Sequence, residues 1–250
     1  MDILDAMVTL PARGNDVNTD DMNGAGIGAS IVAIDTAAEP TVVLTYDDGP
    51  EPGGTDSVLD VLADAGATAT FFVLLSRVRR HASLFDELLA SGHEIALHGP
   101  DHRRLTDLDP KQLTLRTRTA KEELEDRTGR AVRWFRPPYG DQSTVTWGAV
   151  ADAGLTTVLW SADCLDWLDA PHDDRLRKTR AMAEPGAVLL LHDGFASAMD
   201  GVDDGEPPAI DRGKLSRSVI EICAGKGFAC SSLGQALDAG HRAEWARLDD

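Results

Sequence analysis

Residues 41 to 74 read TVVLTYDDGPEPGGTDSVLDVLADAGATATFFVL, in which two β-rich apolar runs flank an amphipathic segment. The runs at residues 41–46 and 69–74 are rich in Val, Thr and aromatic residues, which predicts two strands. Between them, residues 55–65 carry Val58, Leu59, Val61 and Leu62 at helical spacing and are followed by Gly66, which predicts a helix that ends there. The segment is therefore predicted to be a strand, a helix and a second strand.

The same alternation continues through the rest of the chain. Further strands are predicted at residues 31–34, 94–97, 132–135, 155–160, 187–191 and 228–231, and further helices at residues 81–90, 110–127, 144–153, 173–183 and 214–224. Strands that alternate with helices of about 10 to 15 residues imply parallel β/α units, and the number of repeats favours a barrel over an open sheet. In such folds the chemistry lies at the carboxyl ends of the strands.

Composition limits the classes of protein that this chain can be. Its 250 residues are enough for one large domain, and no Ser/Pro-rich linker divides them. The 42 acidic and 24 basic residues give a net charge of −18, which would repel nucleic acid and anionic membranes. No signal-like start and no apolar window of about 18 residues is found, so we expect a cytoplasmic protein. Its three cysteines, an odd number without regular spacing, are expected to be free thiols.

The acidity is concentrated in two segments. Residues 1–40 hold seven acids and one base, and residues 193–212 hold six acids and one base. One interpretation is a solvated surface that maintains solubility. The other is that the second segment borders an active site, where Asp200, Asp203 and Asp204 would bind a cationic product.

Polar clusters follow several of the predicted strands. Asp47 and Asp48 are adjacent carboxylates at the end of a strand, so they need a cation or an arginine to remain ionised together, although Asp-Asp-Gly alone is typical of a turn. His98 and His102 have the i, i+4 spacing of two histidines that share one divalent ion. Together with Asp48 they would form a set of two histidines and one carboxylate, which leaves an open position for water.

Three more clusters lie further along the chain. RPPYG at residues 136–140 and DCLDW at residues 163–167 each follow a predicted strand, and LLHD at residues 190–193 ends the most apolar one. A histidine at the end of a buried strand, with a carboxylate from another strand, suits a general acid held in one tautomer. The alternative for His192 is a core histidine with satisfied hydrogen bonds.

In this order the five clusters closely resemble the motifs of the NodB-homology polysaccharide deacetylases, also called carbohydrate esterase family 4. The resemblance covers about residues 41–235 and implies a single α/β domain, a distorted (β/α) barrel of about seven parallel strands. We therefore divide the chain into an N-terminal lead-in with a short strand at residues 1–40, a deacetylase domain at residues 41–240 and a C-terminal tail at residues 241–250.

The resemblance also implies roles for individual residues. It makes one divalent metal ion the cofactor, with zinc expected first and cobalt, manganese or nickel as alternatives. The implied metal ligands are Asp48, His98 and His102; the implied catalytic residues are Asp47 as general base, Arg136 as its partner, His192 as general acid and Asp166 as the group that orients it. The Tyr139 backbone N–H would help to hold the oxyanion, and Trp167 and Leu190 would wall the pocket for the acetyl methyl group.

The sequence departs from the family motifs at two positions. Tyr46 replaces the usual Phe, a mild change that adds a hydroxyl needing a hydrogen-bond partner. Gly99 stands where many members have Ser or Thr after the first histidine. That hydroxyl is not one of the implied metal ligands, so we expect metal binding to be retained and the loop shape to differ.

The expected function is metal-dependent hydrolysis of the N-acetyl group of an amino sugar, oligosaccharide or polysaccharide, which releases acetate and an amine. The alternatives are an amidohydrolase for a small N-acylated metabolite and a catalytically silent carbohydrate-binding protein.

Overall fold

The structure, a computed structural model, describes residues 28–35 and 39–248. Its strands are β1 (Ala29–Ile34), β2 (Thr41–Asp47), β3 (Thr70–Leu74), β4 (Glu94–Gly99), β5 (Trp134–Phe135), β6 (Thr156–Thr157), β7 (Ala162–Asp163), β8 (Val188–His192), β9 (Ala229–Ser231) and β10 (Ala243–Arg247). Its α-helices are α1 (Thr55–Ala65), α2 (Leu75–Arg80), α3 (Ala82–Ala90), α4 (Pro110–Thr128), α5 (Thr144–Asp152), α6 (His172–Met182), α7 (Arg212–Gly225) and α8 (Leu233–Asp238).

A curled sheet of parallel strands organises the molecule. Seven strands follow the order β6-β5-β4-β3-β2-β8-β7, and β9 pairs with the beginning of β2. One layer of core, which includes Leu44, Phe71 and Leu189, lies between this sheet and the helices. The sheet curls without closing, which confirms the predicted α/β fold and its distorted barrel.

The register of the sheet brings distant polar residues together. β2 and β8 pair in parallel so that Asp47 lies opposite His192, although the two are 145 positions apart in sequence. Because all strands of this sheet run in the same direction, their carboxyl ends share one rim. The polar clusters that follow the strands therefore meet at that rim.

Two strands are shorter than the sequence predicts. The predicted strands at residues 132–135 and 155–160 are reduced to β5 and β6, of two residues each. After β5 the chain enters Pro137 and Pro138, which have no N–H to donate to a neighbouring strand. After β6 the chain turns to another partner, since the Leu159 N–H donates to the Ile31 carbonyl at 2.8 Å.

The two ends of the described chain form a separate antiparallel pair. β1 pairs with β10, and the Ile34 N–H of β1 donates to Gly186 O at 2.9 Å. Ile31 and Val32 are buried in a second core layer with Val43 and Phe72 of the large sheet. The short strand predicted at residues 31–34 is confirmed, whereas β10 was not predicted in the tail. Residues 1–27 and 36–38 of the lead-in and residues 249–250 of the tail lie outside the described residues.

Two further expectations concern the chain as a whole. Cys164, Cys223 and Cys230 are free thiols, as the sequence predicts. Within residues 28–35 and 39–248, no helix combines the length and the apolar character needed to cross a membrane. The cytoplasmic location stays a prediction.

Candidate active site

A cavity of about 480 Å³ lies at the rim where the strands end. It is lined by Asp47, Asp48, His98, His102, Arg104, Tyr139, Gly140, Trp160, Trp167, Leu168, Leu190, His192, Phe195, Ala196 and Asp204. The volume falls in the range of small-molecule pockets, roughly 300 to 1,000 Å³. Eight of the ten residues selected from the sequence line this cavity, and the other two, Arg136 and Asp166, are buried behind it.

The backbone at the end of β2 places two consecutive carboxylates on one cavity. Side chains of consecutive residues in a regular strand point to opposite faces. Asp48 breaks this alternation because its φ is 75°, a left-handed conformation that Asp tolerates better than most residues. Asp47 and Asp48 consequently both line the cavity while remaining 2% and 4% exposed.

Asp48, His98 and His102 form a candidate metal site. Nε2 of His98 lies 3.5 Å and Nε2 of His102 lies 3.3 Å from the same atom, Oδ1 of Asp48. One potential ligand atom from each residue lies within 4.8 Å of the other two. Asp48 Oδ1 is buried and has no hydrogen-bond partner among the described residues. A buried carboxylate oxygen faced by two imidazole nitrogens fits a divalent cation, and three protein ligands leave coordination positions open.

The pKa shifts of His98 and Asp48 suit metal binding. Burial lowers the pKa of His98, which favours the neutral ring that a metal requires. Its Nδ1 lies 2.7 Å from the Arg136 carbonyl oxygen, which selects the tautomer with Nδ1–H and leaves Nε2 free. Burial opposes ionisation of Asp48, but the charges of His102, His192 and His98 outweigh burial and lower its pKa to about 2.

Gly99 fits the backbone between the two histidines. Its φ is 126°, a conformation that residues with a side chain rarely adopt, and a Cβ at this position would lie 2.8 Å from the Asp101 carbonyl oxygen. The backbone at this position therefore favours glycine over a residue with a side chain. Both histidines still reach Asp48, as expected from the sequence.

Arg136 anchors Asp47 from behind the cavity. The guanidinium is fully buried and donates to Asp47 Oδ1 at 2.7 Å and to Thr45 Oγ1 at 2.9 Å. It also donates to the carbonyl oxygens of Val158 at 3.1 Å and Leu159 at 2.8 Å. Four acceptors fix the guanidinium, so the Asp47 carboxylate has a compensating charge and a fixed orientation.

His192, which lines the cavity, pairs with the buried carboxylate of Asp166. His192 Nδ1 lies 2.8 Å from Asp166 Oδ1, and the His192 backbone N–H donates to Asp166 Oδ2 at 2.6 Å. Burial lowers the pKa of His192, but the charge of Asp166 and this hydrogen bond outweigh burial and raise it to about 9. At neutral pH the imidazole is therefore protonated and can donate a proton.

Three more of the residues selected from the sequence line the cavity. Tyr139 has a φ of 62°, and its hydroxyl donates to both carboxylate oxygens of Asp204 at 2.8 Å. The ring of Trp167 packs edge-on to His192 with 5.9 Å between centroids. Leu190 is 4% exposed and lies two residues before His192 in β8, so both side chains point to the same face of the sheet.

Of the three acids in residues 193–212 that were expected to bind a cationic product, one lines the cavity. Asp200 is fully buried in ion pairs with Arg77 and Arg80, at 2.9 Å each, so it cannot face a product, and the sequence expectation for this residue is wrong. Asp203 is exposed and does not line the cavity. Asp204 does line it, and the acidic composition of the segment was the only signal that could have suggested this residue.

Arg104 and Trp160 were also not assigned to the site from the sequence. Arg104 lies over the Tyr139 ring, 3.9 Å from its centroid, and Trp160 is 8% exposed at the cavity wall beside Gly140. Neither belongs to one of the five clusters. Their positions in sequence, Arg104 two residues after His102 and Trp160 at the end of the strand predicted at residues 155–160, were the signals that could have suggested them.

Comparisons with known proteins agree with this geometry. A family model described as polysaccharide deacetylase matches residues 35–158. A chitooligosaccharide deacetylase from Bradyrhizobium sp. (strain ANU 289) is 36% identical over 64% of this chain and 74% of its own length, and one from Azorhizobium caulinodans is 34% identical over 79% and 95%. A family 4 carbohydrate esterase from Streptomyces lividans, solved with acetate, superposes with a TM-score of 0.65 and 28% identity over 78% of this chain and 93% of that chain. The chain belongs to the polysaccharide deacetylase family and is an enzyme that removes acetyl groups by hydrolysis.

Proposed function

We propose that this protein hydrolyses the N-acetyl amide of an amino sugar or its oligomer with the help of one divalent cation. The observation that carries the proposal is the pairing of Asp47 with His192 across β2 and β8, beside the Asp48, His98 and His102 trio. A carboxylate and a protonated imidazole therefore both line one cavity. This is the arrangement that amide hydrolysis requires, since water must lose a proton and the leaving nitrogen must gain one.

Asp48, His98 and His102 would hold the cation. A divalent cation bound there supplies Lewis acidity, which polarises the amide carbonyl and lowers the pKa of water. Zinc is our first choice because two imidazoles and one carboxylate are typical ligands of catalytic zinc, and cobalt, manganese and nickel accept the same donors.

Asp47 would act as the general base. It would accept the proton of the attacking water, and Arg136 would hold the carboxylate in place and balance its charge through the bond of 2.7 Å. Asp47 is 2% exposed, so bulk water does not compete strongly for its oxygens. The backbone N–H of Tyr139 would donate to the oxyanion that forms when water adds to the carbonyl.

His192 would act as the general acid. With a pKa of about 9 it is protonated at pH 7, and its proton would pass to the amide nitrogen as the C–N bond breaks. Asp166 would orient the ring through Nδ1, so that Nε2 faces the reacting atoms. Trp167 and Leu190 would surround the acetyl methyl group. The products are acetate and a free amine, and the water molecule is consumed.

The substrate is proposed from the relatives and from the shape of the cavity. The relatives described above are chitooligosaccharide deacetylases, which favours a chitooligosaccharide or another N-acetylated oligosaccharide. A small N-acylated metabolite is the second candidate, because Phe195, Ala196 and Asp204 of the loop after β8 line the cavity. We set aside the silent carbohydrate-binding protein, since Asp47 and His192 are both in position.

An acetate-release screen tests the proposal. Purified protein loaded with zinc would be offered N-acetylglucosamine, chitooligosaccharides of two to six units and small N-acetylated amines. We expect the highest kcat/KM with an oligosaccharide. Release only from the small amines would favour the second candidate, and no release from any compound would overturn both.

Two substitutions separate the base from the metal ligands. We expect Asp47→Asn to lower kcat by about 10²- to 10⁴-fold while zinc binding is retained, because a general base typically contributes that much. Asp48→Asn should lose both zinc binding and turnover. Asp126→Asn, an exposed position on α4, is the matched control. Full activity in Asp47→Asn would contradict the proposed mechanism.

A further inference from the structure

We propose that the loop of residues 193–204 after β8, referred to below as the β8 loop, positions the metal ligand His102, with Asp204 as the hydrogen-bond acceptor for its Nδ1. The inference rests on the proposed function, since it assigns His102 to a cation. It gives Asp204 the role of a positioning residue that acts on the cation through the imidazole.

The two histidines of the trio differ in how their rings are supported. His98 Nδ1 is held by the Arg136 carbonyl at 2.7 Å, a partner supplied by the residue that directly follows β5. His102 is 7% exposed, and its Nδ1 is buried without a full hydrogen bond among the described residues. That nitrogen lies 3.4 Å from Asp204 Oδ2, so a small rotation of either group completes the bond.

A second partner of this kind is what a metal-binding histidine needs. Such residues usually donate their other ring N–H to a carboxylate or carbonyl, which fixes the tautomer and the ring orientation. With Asp204 as the acceptor, His102 carries its proton on Nδ1 and presents Nε2 as a lone pair. That Nε2 is the atom 3.3 Å from Asp48 Oδ1.

Asp204 is itself held in place by Tyr139. The Tyr139 hydroxyl donates to both oxygens of Asp204 at 2.8 Å. The same aromatic ring packs edge-on against the His102 imidazole, with 4.5 Å between the centroids. Asp204 is an exposed residue of the loop, but its side chain is 28% exposed because the carboxylate faces Tyr139 and His102. The carboxylate therefore has a defined position beside His102.

The β8 loop also holds the backbone of His102. The His102 N–H donates to the Asp200 carbonyl oxygen at 2.9 Å. The Asp200 side chain is anchored to α2, where it accepts from Ser76 at 2.7 Å and pairs with Arg77 and Arg80. The β8 loop is thus anchored to α2 and contacts both the main chain and the imidazole ring of His102.

Zinc affinity of the purified, metal-free protein tests this inference without relying on turnover. The dissociation constant for Zn²⁺ would be measured at pH 7.5 by competition with a chromophoric chelator. We expect Asp204→Ala to weaken binding by about 10- to 100-fold, the usual cost of losing the carboxylate behind a histidine ligand. Asp204→Asn keeps a carbonyl oxygen as acceptor and should recover part of the affinity.

Asp203→Ala is the matched control, because it removes the same charge from the adjacent, exposed position. We expect its affinity to stay within twofold of the wild type. Equal affinities in Asp204→Ala and Asp203→Ala, whether both unchanged or both weakened, would overturn the inference, since the effect would then be absent or due only to net charge. A wild type that binds no zinc would instead overturn the proposed function.

Thermal unfolding in the presence of chelator separates positioning from folding. We expect the metal-free Tm of Asp204→Ala to match that of Asp203→Ala, because the Asp204 carboxylate lies at the surface of the cavity. If the metal-free Tm falls together with zinc affinity in both Asp204 variants, the residue is structural and the inference is wrong. If the metal-free Tm falls in Asp204→Ala but not in Asp204→Asn, the zinc affinity of Asp204→Asn is the one compared with that of Asp203→Ala.

Discussion

Replacement of Asp166 by Asn should change the pH dependence of turnover in a calculable way. The carboxylate is fully buried and contacts His192 twice, at Nδ1 and at the backbone N–H. The pKa of Asp166 is lowered because the charge of His192 and its hydrogen bonds outweigh burial, so the carboxylate is ionised at the pH of any assay. Asn keeps the shape and one acceptor oxygen but removes the charge.

The size of the effect follows from the pKa of His192. Asp166 is the main reason that this pKa lies at about 9 and above the ordinary 6.5, which corresponds to roughly 3 kcal/mol. Without that charge, burial still lowers the pKa of His192 while Asp48 and Asp47 still raise it, so the pKa returns toward the ordinary value of about 6.5. A general acid must be protonated, so activity is lost as pH rises through this pKa. The protonated fraction at pH 8.5 would fall from about 0.8 to about 0.01, a loss of about 75-fold, whereas at pH 6 the loss from protonation is less than twofold.

The assay is kcat for acetate release from pH 5.5 to 9.5 with saturating zinc. Both proteins carry the same cation, so the difference between their profiles isolates Asp166. The ratio of the wild-type kcat to the Asp166→Asn kcat should increase steeply with pH. Asp163→Asn is a suitable control, because Asp163 lies in the same loop but pairs with Lys178. If this ratio is constant from pH 6 to 8.5, Asp166 only orients the His192 ring, and the inference that its charge raises the pKa of His192 is wrong.

Two stability predictions follow from other buried acids. Asp200→Asn should lower the free energy of unfolding by about 3 to 5 kcal/mol in urea titrations, because Arg77 and Arg80 lose a buried partner, whereas exposed Asp203→Asn should change it by less than about 0.5 kcal/mol. Burial raises the pKa of Asp193 to about 7, so the native state binds the extra proton between pH 4 and 7 and loses about 4 kcal/mol of stability as pH rises through that range. Asp193→Asn should flatten this decline, and an unchanged slope would contradict the reasoning.

Local patterns in the sequence were enough for the elements and for most of the site. The helix predicted at residues 55–65 has those limits in the structure, because helical spacing and the terminal Gly66 are signals between near neighbours. The ends of the strands could be located in the same way. In a parallel sheet the carboxyl ends of all strands share one rim. The strand pattern was therefore enough to predict that the residues at these ends lie close together, namely Asp47, Asp48, His98 and His192.

Features that depend on contacts between distant segments were not predictable. The pairing of β1 with β10 joins segments more than 200 positions apart, and no local periodicity encodes a partner at that distance. The left-handed conformation of Asp48 gives no sequence signal either, since glycine is the residue usually expected there.

The acidic segment shows most clearly what each level determines. Its composition identified a concentration of charge next to His192, but composition assigns the same character to every carboxylate in it. In the folded protein Asp200 is buried against Arg77 and Arg80, Asp203 is exposed, and Asp204 lies 3.4 Å from His102. Sequence alone determined the β/α order and the residues at the strand ends, because both follow from short-range patterns. The path of the β8 loop determined which acid reaches the candidate metal site, because that path depends on contacts with α2 and with Tyr139 that only tertiary packing creates.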